Sequence, residues 1–571
     1  MAERTEWILD RTEATGRGGM VAAKTEAAAV VGAAILRQGG NAIDAAVATA
    51  FAAGVVEPWM NGIGGGGYLV AHFPERGESV VVEFPMAAPQ GATPEMFPLA
   101  GTGSDDALFG WPAVVDNANL FGARSVAVPG TVAGLALALE RYGTLSLGEA
   151  LAPAIRYAEE GFPVTWHTTL TVARDLGTLQ RFPATAAVFC DAAGNPPVTR
   201  DQSRPTMLRQ PDLARTLRQI AQAGPRAFYE GPVSRAIVRH LAALGAPFTE
   251  ADFARYQAIV APPVTADYRG YRVVTPGKGC GGPSLVETMN LLANLDIAGL
   301  GHNTVEALHL MAQAFRQAFA DRFAYLADPD FVDVPLAALT SPEYARERAA
   351  AFTRGPLGPV RAGDRERLGV THNLAASVPD YTSGGSTTHL GVIDRDGVAV
   401  SLTQTLLSLW GSRVVVPGTG VLLNNGMMWF DPEPGRPNSI AGGKRGLANM
   451  SPVVLTRGGQ SVASLGASGG RKISNCLAQM MMNVVDHGMS IQQAITAPRI
   501  DASTPNLSVS ARIPRATREA LAALGHRVVP RVESPGGSDF ASPVAILRDA
   551  DGTLHGGADP FYPAMAIAAG T

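Results

Sequence analysis

Apolar residues in this chain fall into short runs, and their spacing changes along its length. The stretch KTEAAAVVGAAILRQGGN is alanine-rich and predicts a helix from about Thr25 to Gln38, ended by Gly39-Gly40. Asn41 then caps a second helix, AIDAAVATAFAA, that runs up to Gly54. The glycine turn NGIGGGGY leads into an apolar strand, and after the hairpin-like PERGE a second strand, SVVVEF, spans about 79 to 84. Residues from about 130 to 350 read as mostly helical. Asn303 and Glu306 make a capping-box-like start there, and Leu308, Phe315, Phe319 and Phe323 follow at helical spacing, which predicts a buried core stripe. After Thr353 the period is lost, and a polar Gly, Pro and Ser-containing linker covers about 354–386. It stops at TTHLGVIDRDGVAVSLTQTL, which reads as strand, turn at 394–397, strand, with Val398, Val400 and Leu402 alternating. A second hairpin is expected at 452–466, and helices from about Ile473 and at 515–524. This order suits an α+β layered domain better than alternating βα units.

Composition narrows the possibilities. Of 571 residues, 46% are hydrophobic and 17% charged, which is enough apolar material for a large core and excludes a disordered chain. A net charge of −4 with no basic block argues against nucleic acid as the partner. Apolar stretches such as Ala45–Val56 stop short of the roughly 18 residues a membrane span needs. The N-terminus is charged and lacks the apolar core of a secretory signal, so a cytoplasmic protein is expected. Cys190, Cys280 and Cys476 are too far apart for a disulfide framework, and no CxxC pair exists. His302 and His309 fall seven apart, on one face of a helix, but no third ligand is near, so no metal is expected. NGIGGGGY lacks the GK[ST] ending of a phosphate loop and predicts tight packing instead.

The junction Gly384-Gly385-Ser386-Thr387-Thr388-His389 carries the chemistry. A threonine hydroxyl is a poor nucleophile without an adjacent base. Its own α-amine, with a reference pKa of about 7.7–8.0, can serve if the chain is cut between Ser386 and Thr387. By itself the TTH tripeptide is weak evidence and reads as an ordinary β-branched strand start. His389 is expected to support the neighbouring strand pair, and Cys280 has no assignable histidine partner.

The company this junction keeps is informative. TTHLGVIDRDGVAVSLTQT, PGTGVLLNN, FDPEPGRPNS, GKRGLANMSPVVL and LGASGGRKI, in that order, resemble the small subunit of the γ-glutamyltransferase family. GGNAIDAAVATAFAAGVVEP, NGIGGGGY, VPGTVAGLALALERYG, LAPAIRYAEEGFPV, YRGYRVV and AFRQAFADRFAYLADPDF resemble its large subunit, so nearly the whole chain is covered. The resemblance implies an N-terminal-nucleophile hydrolase with a four-layer αββα sandwich, made as one proenzyme and needing no cofactor. Residues 1–386 would form the large subunit and 387–571 the small catalytic one, the two fragments staying together as one intertwined domain. Thr387 matches the nucleophile, Thr405 the threonine that orients it, and Gly469 and Gly470 the pair whose N–H groups form an oxyanion hole.

Departures from the glutamyl-specific pattern share one direction. Pro85 stands where the family has an arginine for the glutamyl carboxylate, and Trp429 replaces the acidic residue for its amine. Leu407 stands in place of an asparagine, Ala448-Asn449 in place of a serine pair, and Asn425 precedes a glycine instead of a glutamine. A pocket of Pro85, Leu407, Trp429 and Ala448 would disfavour a zwitterionic acyl group, because burying an unpaired charge is costly. The pattern looks more like the cephalosporin-acylase-like branch. Arg413 and Arg471 lie near the motif and offer to hold a terminal carboxylate; the alternative for each is an ordinary solvated arginine. The expected function is therefore a self-processing amide hydrolase or acyltransferase acting on a small-molecule amide, with water or an amine as acceptor. An authentic γ-glutamyltransferase is the alternative enzyme, and an uncut, catalytically silent binding protein the alternative of another kind.

Overall fold

The computed structural model describes residues 9–104, 111–370, 386–537 and 539–570. Gly384, Gly385 and the linker from 371 onward lie outside the described residues.

Two seven-stranded sheets dominate. The first runs Met565–Ala568, Met20–Ala23, Thr388–Ile393, Ala399–Thr405, Gly66–Phe73, Glu78–Phe84, Ile259–Ala261, every neighbour antiparallel. The second runs Ala14–Gly16, Leu554–Ala558, Ser542–Arg548, Gln460–Ser468, Val453–Arg457, Tyr271–Thr275, Val264–Tyr268, again all antiparallel. The sheets face each other through Thr388–Ile393, Ala399–Thr405, Gln460–Ser468 and Ser542–Arg548. Helices Glu26–Arg37 and Ala42–Val56 cover the outside of the first; Gly282–Ala293 and Lys472–Val485 cover the second. This is the four-layer αββα sandwich. Both sheets contain strands from before and from after position 386.

Layering explains the sequence texture. Every residue of Thr388–Ile393 and Ala399–Thr405 is buried, because one face meets helices and the other meets a sheet. Alternation is weak for that reason. The sheets approach closely where side chains are small: a Cβ built on Gly466 would lie 2.1 Å from the His389 ring. Gly466→Ala is expected to destabilise the protein by about 1–3 kcal/mol through overpacking, read as a lower apparent Tm.

Caps set the helix starts. Thr25 accepts from Ala28 N, and Asn41 and Asp44 form a capping box. Asp44 also accepts from Thr144 N and Leu145 N, tying that helix to a distant loop. The expected start at Asn303 is corrected by one residue. Thr304 caps helix Val305–Tyr325, while Asn303 has φ +55° and donates to Pro498 O. Glu306 pairs with Arg354 instead of closing a box. The aromatic stripe on this helix is buried but divides: Leu308 and Phe315 join the core beneath the second sheet, whereas Phe319 and Phe323 join a separate cluster with Leu407, Trp429 and Ala448.

His302 and His309 do not share a face. His302 lies ahead of the helix and meets His487, while His309 Nδ1 is 2.7 Å from His526 Nε2. Among the described residues no helix is long and apolar enough to cross a membrane.

Candidate active site

Thr387 directly precedes strand Thr388–Ile393 and is 4% exposed. The peptide before it is held on all sides. Ser386 N donates to Leu407 O at 3.2 Å, and Ser386 Oγ donates to Trp59 O at 3.2 Å. The Ser386 carbonyl oxygen accepts two hydroxyls, Thr387 Oγ1 at 2.6 Å and Thr405 Oγ1 at 2.7 Å. Leu407 N donates to Thr405 Oγ1 at 2.7 Å, so the one proton of that hydroxyl is left for Ser386 O. Leu407 has φ +91°, a strained backbone for a leucine, and this turn aims its N–H at Thr405 and its carbonyl at Ser386. In the uncut chain Thr405 therefore bonds the carbonyl, and not the Thr387 hydroxyl it is expected to orient. Gly65 explains the tightness here: a Cβ on it would lie 2.2 Å from Thr405 O.

Gly469 (φ +141°) and Gly470 (φ +62°) join strand Gln460–Ser468 to the 14-residue helix Lys472–Val485. A Cβ on Gly469 would lie 2.7 Å from Ala541 Cα. Backbone N–H groups at such a helix start attract negative charge.

The predicted pocket residues separate into two groups. Leu407, Trp429 and Ala448 meet in one apolar cluster with Met86, Met427, Met428, Phe319 and Phe323. Arg471 is buried with its guanidinium 4.7 Å from the Phe323 ring centroid and bonded to Ser503 O. Pro85 contributes its carbonyl, which accepts from Tyr256 OH at 2.6 Å. Asn425 and Arg413 are both engaged by other groups of the protein. Asn425 Nδ2 donates to Leu120 O and Ser408 Oγ. The solvated alternative for Arg413 is overturned: it is 6% exposed, pairs with Asp175 at 3.1 Å and donates to Gly411 O. A left-handed turn at Arg413 (φ +64°) folds its side chain inward, which sequence spacing does not reveal.

Three buried charges escaped the sequence reading. Arg322 donates to Cys280 O, Ala448 O and Asn449 Oδ1, and so fixes the predicted Ala448-Asn449 pair from beneath. Glu57 ends helix Ala42–Val56, and its carboxylate accepts from Thr388 Oγ1. Lys24 follows strand Met20–Ala23 and donates to Ser542 Oγ. Burial pushes the Glu57 carboxyl up and the Lys24 ammonium down, each partly offset by the other's charge. The only sequence sign was a charged residue closing an otherwise apolar run. His389 is pushed down to about 3 by burial, so its ring is neutral and its Nδ1 meets Thr403 Oγ1 across the strand pair. Burial drives the Cys280 thiol up to about 12, which removes it as a thiolate nucleophile near neutral pH.

Comparison with known proteins agrees with this architecture. The gamma-glutamyltranspeptidase family model matches residues 28–569. An acylase ACY 1 proenzyme from Pseudomonas sp. (strain SE83) is 38% identical, over 97% of this chain and 94% of that protein. A glutathione hydrolase proenzyme from Escherichia coli (strain K12) is 34% identical, over 95% of this chain and 90% of that protein. The crystal structure of a cephalosporin acylase from Bacillus halodurans superposes with a TM-score of 0.85 at 29% identity, covering 99% of this chain and 98% of that one.

Proposed function

This chain belongs to the gamma-glutamyltranspeptidase family, and from that premise we propose that it is a proenzyme which cuts itself between Ser386 and Thr387 and then cleaves amides through a Thr387 acyl-enzyme. The observation that carries the reading is the Ser386 carbonyl oxygen held by two hydroxyls, those of Thr387 and Thr405.

In processing, Thr387 Oγ1 attacks the Ser386 carbonyl carbon and the C–O bond forms. Negative charge gathers on Ser386 O, where the Thr405 hydroxyl stabilises it. The C–N bond then breaks, the nitrogen takes up the proton given up by the Thr387 hydroxyl and becomes the Thr387 α-amine, and water hydrolyses the ester to a Ser386 carboxylate and the free Thr387 hydroxyl. In turnover the α-amine accepts the Thr387 hydroxyl proton as the oxygen attacks a substrate amide. Gly469 and Gly470 N–H groups face the new oxyanion, and the leaving amine takes the proton. Water, or an acceptor amine, releases the acyl group. Fragments 1–386 and 387–571 stay associated, because their strands share both sheets.

The acyl site favours a chain without a free ammonium. Leu407, Trp429, Ala448, Met427 and Met428 offer it no carboxylate, and an unpaired buried charge costs several kcal/mol. The proteins similar to this chain named acylase and cephalosporin acylase support the same choice over glutathione-like substrates. The test compares γ-glutamyl, glutaryl and butanoyl p-nitroanilides, which differ by stepwise removal of the α-amine and the carboxylate. The γ-glutamyl compound is expected to show a kcat/KM at least about tenfold below the better of the other two, equivalent to about 1.4 kcal/mol. Should it be the best substrate, the chain is an ordinary γ-glutamyltransferase.

A further inference from the structure

Lys24 and Glu57 are both 1% exposed and have no part in the bond-making steps above. Burying two charges is rarely stabilising; apolar side chains of similar volume usually do as well or better. What they touch gives a reason for their presence. Glu57 accepts from the hydroxyl of Thr388, the residue after the nucleophile. Successive strand residues point to opposite faces, so holding Thr388 against the helix layer fixes how Thr387 is presented on the other side. Lys24 donates to Ser542 Oγ and stands 3.9 Å from the Tyr562 ring centroid. Ser542 pairs with Ser468, which immediately precedes Gly469-Gly470, and Ser468 Oγ donates to Ser542 O at 3.3 Å. One charge thus grips the nucleophile strand and the other grips the neighbour of the oxyanion strand.

Lys24 and Glu57 attract each other electrostatically. Asp559 also attracts Lys24, while Arg11 repels it. The neutral rings of His389 and His167 feel the Lys24 charge. Both Lys24 and Glu57 belong to residues 1–386, whereas Thr388 and Ser542 belong to 387–571.

We propose that the buried Lys24–Glu57 pair is a positioning device that holds the Thr387 hydroxyl in register with the Gly469-Gly470 N–H groups, through Thr388 on one side and Ser542 on the other. The inference rests on the roles given above to Thr387 and the glycines. It adds that a charge pair from the large fragment sets the geometry of a site lying in the small one.

The test uses purified full-length protein, with two readouts: the rate of self-cleavage by intact mass spectrometry, and kcat and KM for glutaryl p-nitroanilide. Thr388→Val removes the hydroxyl without changing shape. Thr388→Val and Glu57→Ala are each expected to lower kcat about tenfold with KM within about twofold. Their double variant should fall no further than either alone, because both delete the same contact. Glu57→Gln, which keeps an acceptor for Thr388, should recover part of the Glu57→Ala loss. Lys24→Met/Glu57→Gln removes both charges together, so it should keep the wild-type apparent Tm while kcat stays low. Additive losses in the Thr388/Glu57 cycle, or no recovery by Glu57→Gln, would overturn the proposal. If Glu57→Ala is not recovered folded, wild-type kcat in either Thr388→Val or Lys24→Met/Glu57→Gln overturns it, and a fall in both supports it. A Thr387→Ala protein that still cleaves would instead sink the nucleophile assignment, so the two failures are distinguishable.

Discussion

Thr387→Ala is expected to remain a single uncut chain on a denaturing gel and to lose amide hydrolysis by a factor on the order of 10⁴ or more. Two losses combine in this one variant. Without the hydroxyl no oxygen can attack the Ser386 carbonyl, so no α-amine is released. Without the α-amine and the hydroxyl the mature site has neither base nor nucleophile. The fold itself should survive, because Thr387 is a small side chain whose hydroxyl bonds only the carbonyl before it among the described contacts. Thr387→Ser, which keeps the hydroxyl, should still self-cleave. A Thr387→Ala protein that splits at Ser386 or turns over an anilide would refute the assignment.

The second large effect is expected at Thr405. Thr405→Val removes the donor to Ser386 O and leaves Leu407 N without its acceptor. Loss of one preorganised donor to a developing oxyanion slows reaction by roughly 10²–10³-fold, and the orphaned buried N–H destabilises the turn by about 1–3 kcal/mol. Self-cleavage of Thr405→Val should therefore be slowed by at least about 10²-fold, followed as precursor mass against time. Thr405→Ser, which preserves both bonds, should process near the wild-type rate. If Thr405→Val matures as fast as wild type, the carbonyl contact does not assist cleavage.

Much of the arrangement was readable from residue order. The helix starts at Thr25 and Asn41, the hairpin that turns at Asp394–Gly397 and the one at 452–466, and the α+β layering all follow from local chemistry: caps, glycine stops and turn residues. The Asn303 start was misread because Thr304 places its hydroxyl on Ala307 N, a choice that sequence leaves open between neighbouring polar residues. The aromatic stripe from Leu308 to Phe323 was recognised as buried. That its lower half faces the apolar cluster around Trp429 was not, since helical spacing defines a face but not its neighbour.

What the sequence determined by itself is a candidate junction at Ser386-Thr387 and the apolar character of the residues expected around it, because the proposed nucleophile, glycine pair and substituted pocket positions are written as short contiguous motifs. What only the tertiary structure decided is how those motifs are held. Arg413 turned from solvent to Asp175, Arg322 reaching Ala448 and Asn449, and Lys24 and Glu57 gripping strands hundreds of residues away are contacts between distant segments. Long-range contacts of single charged side chains leave no periodicity to read, and their direction is set by packed sheets and strained turns rather than by neighbouring residues.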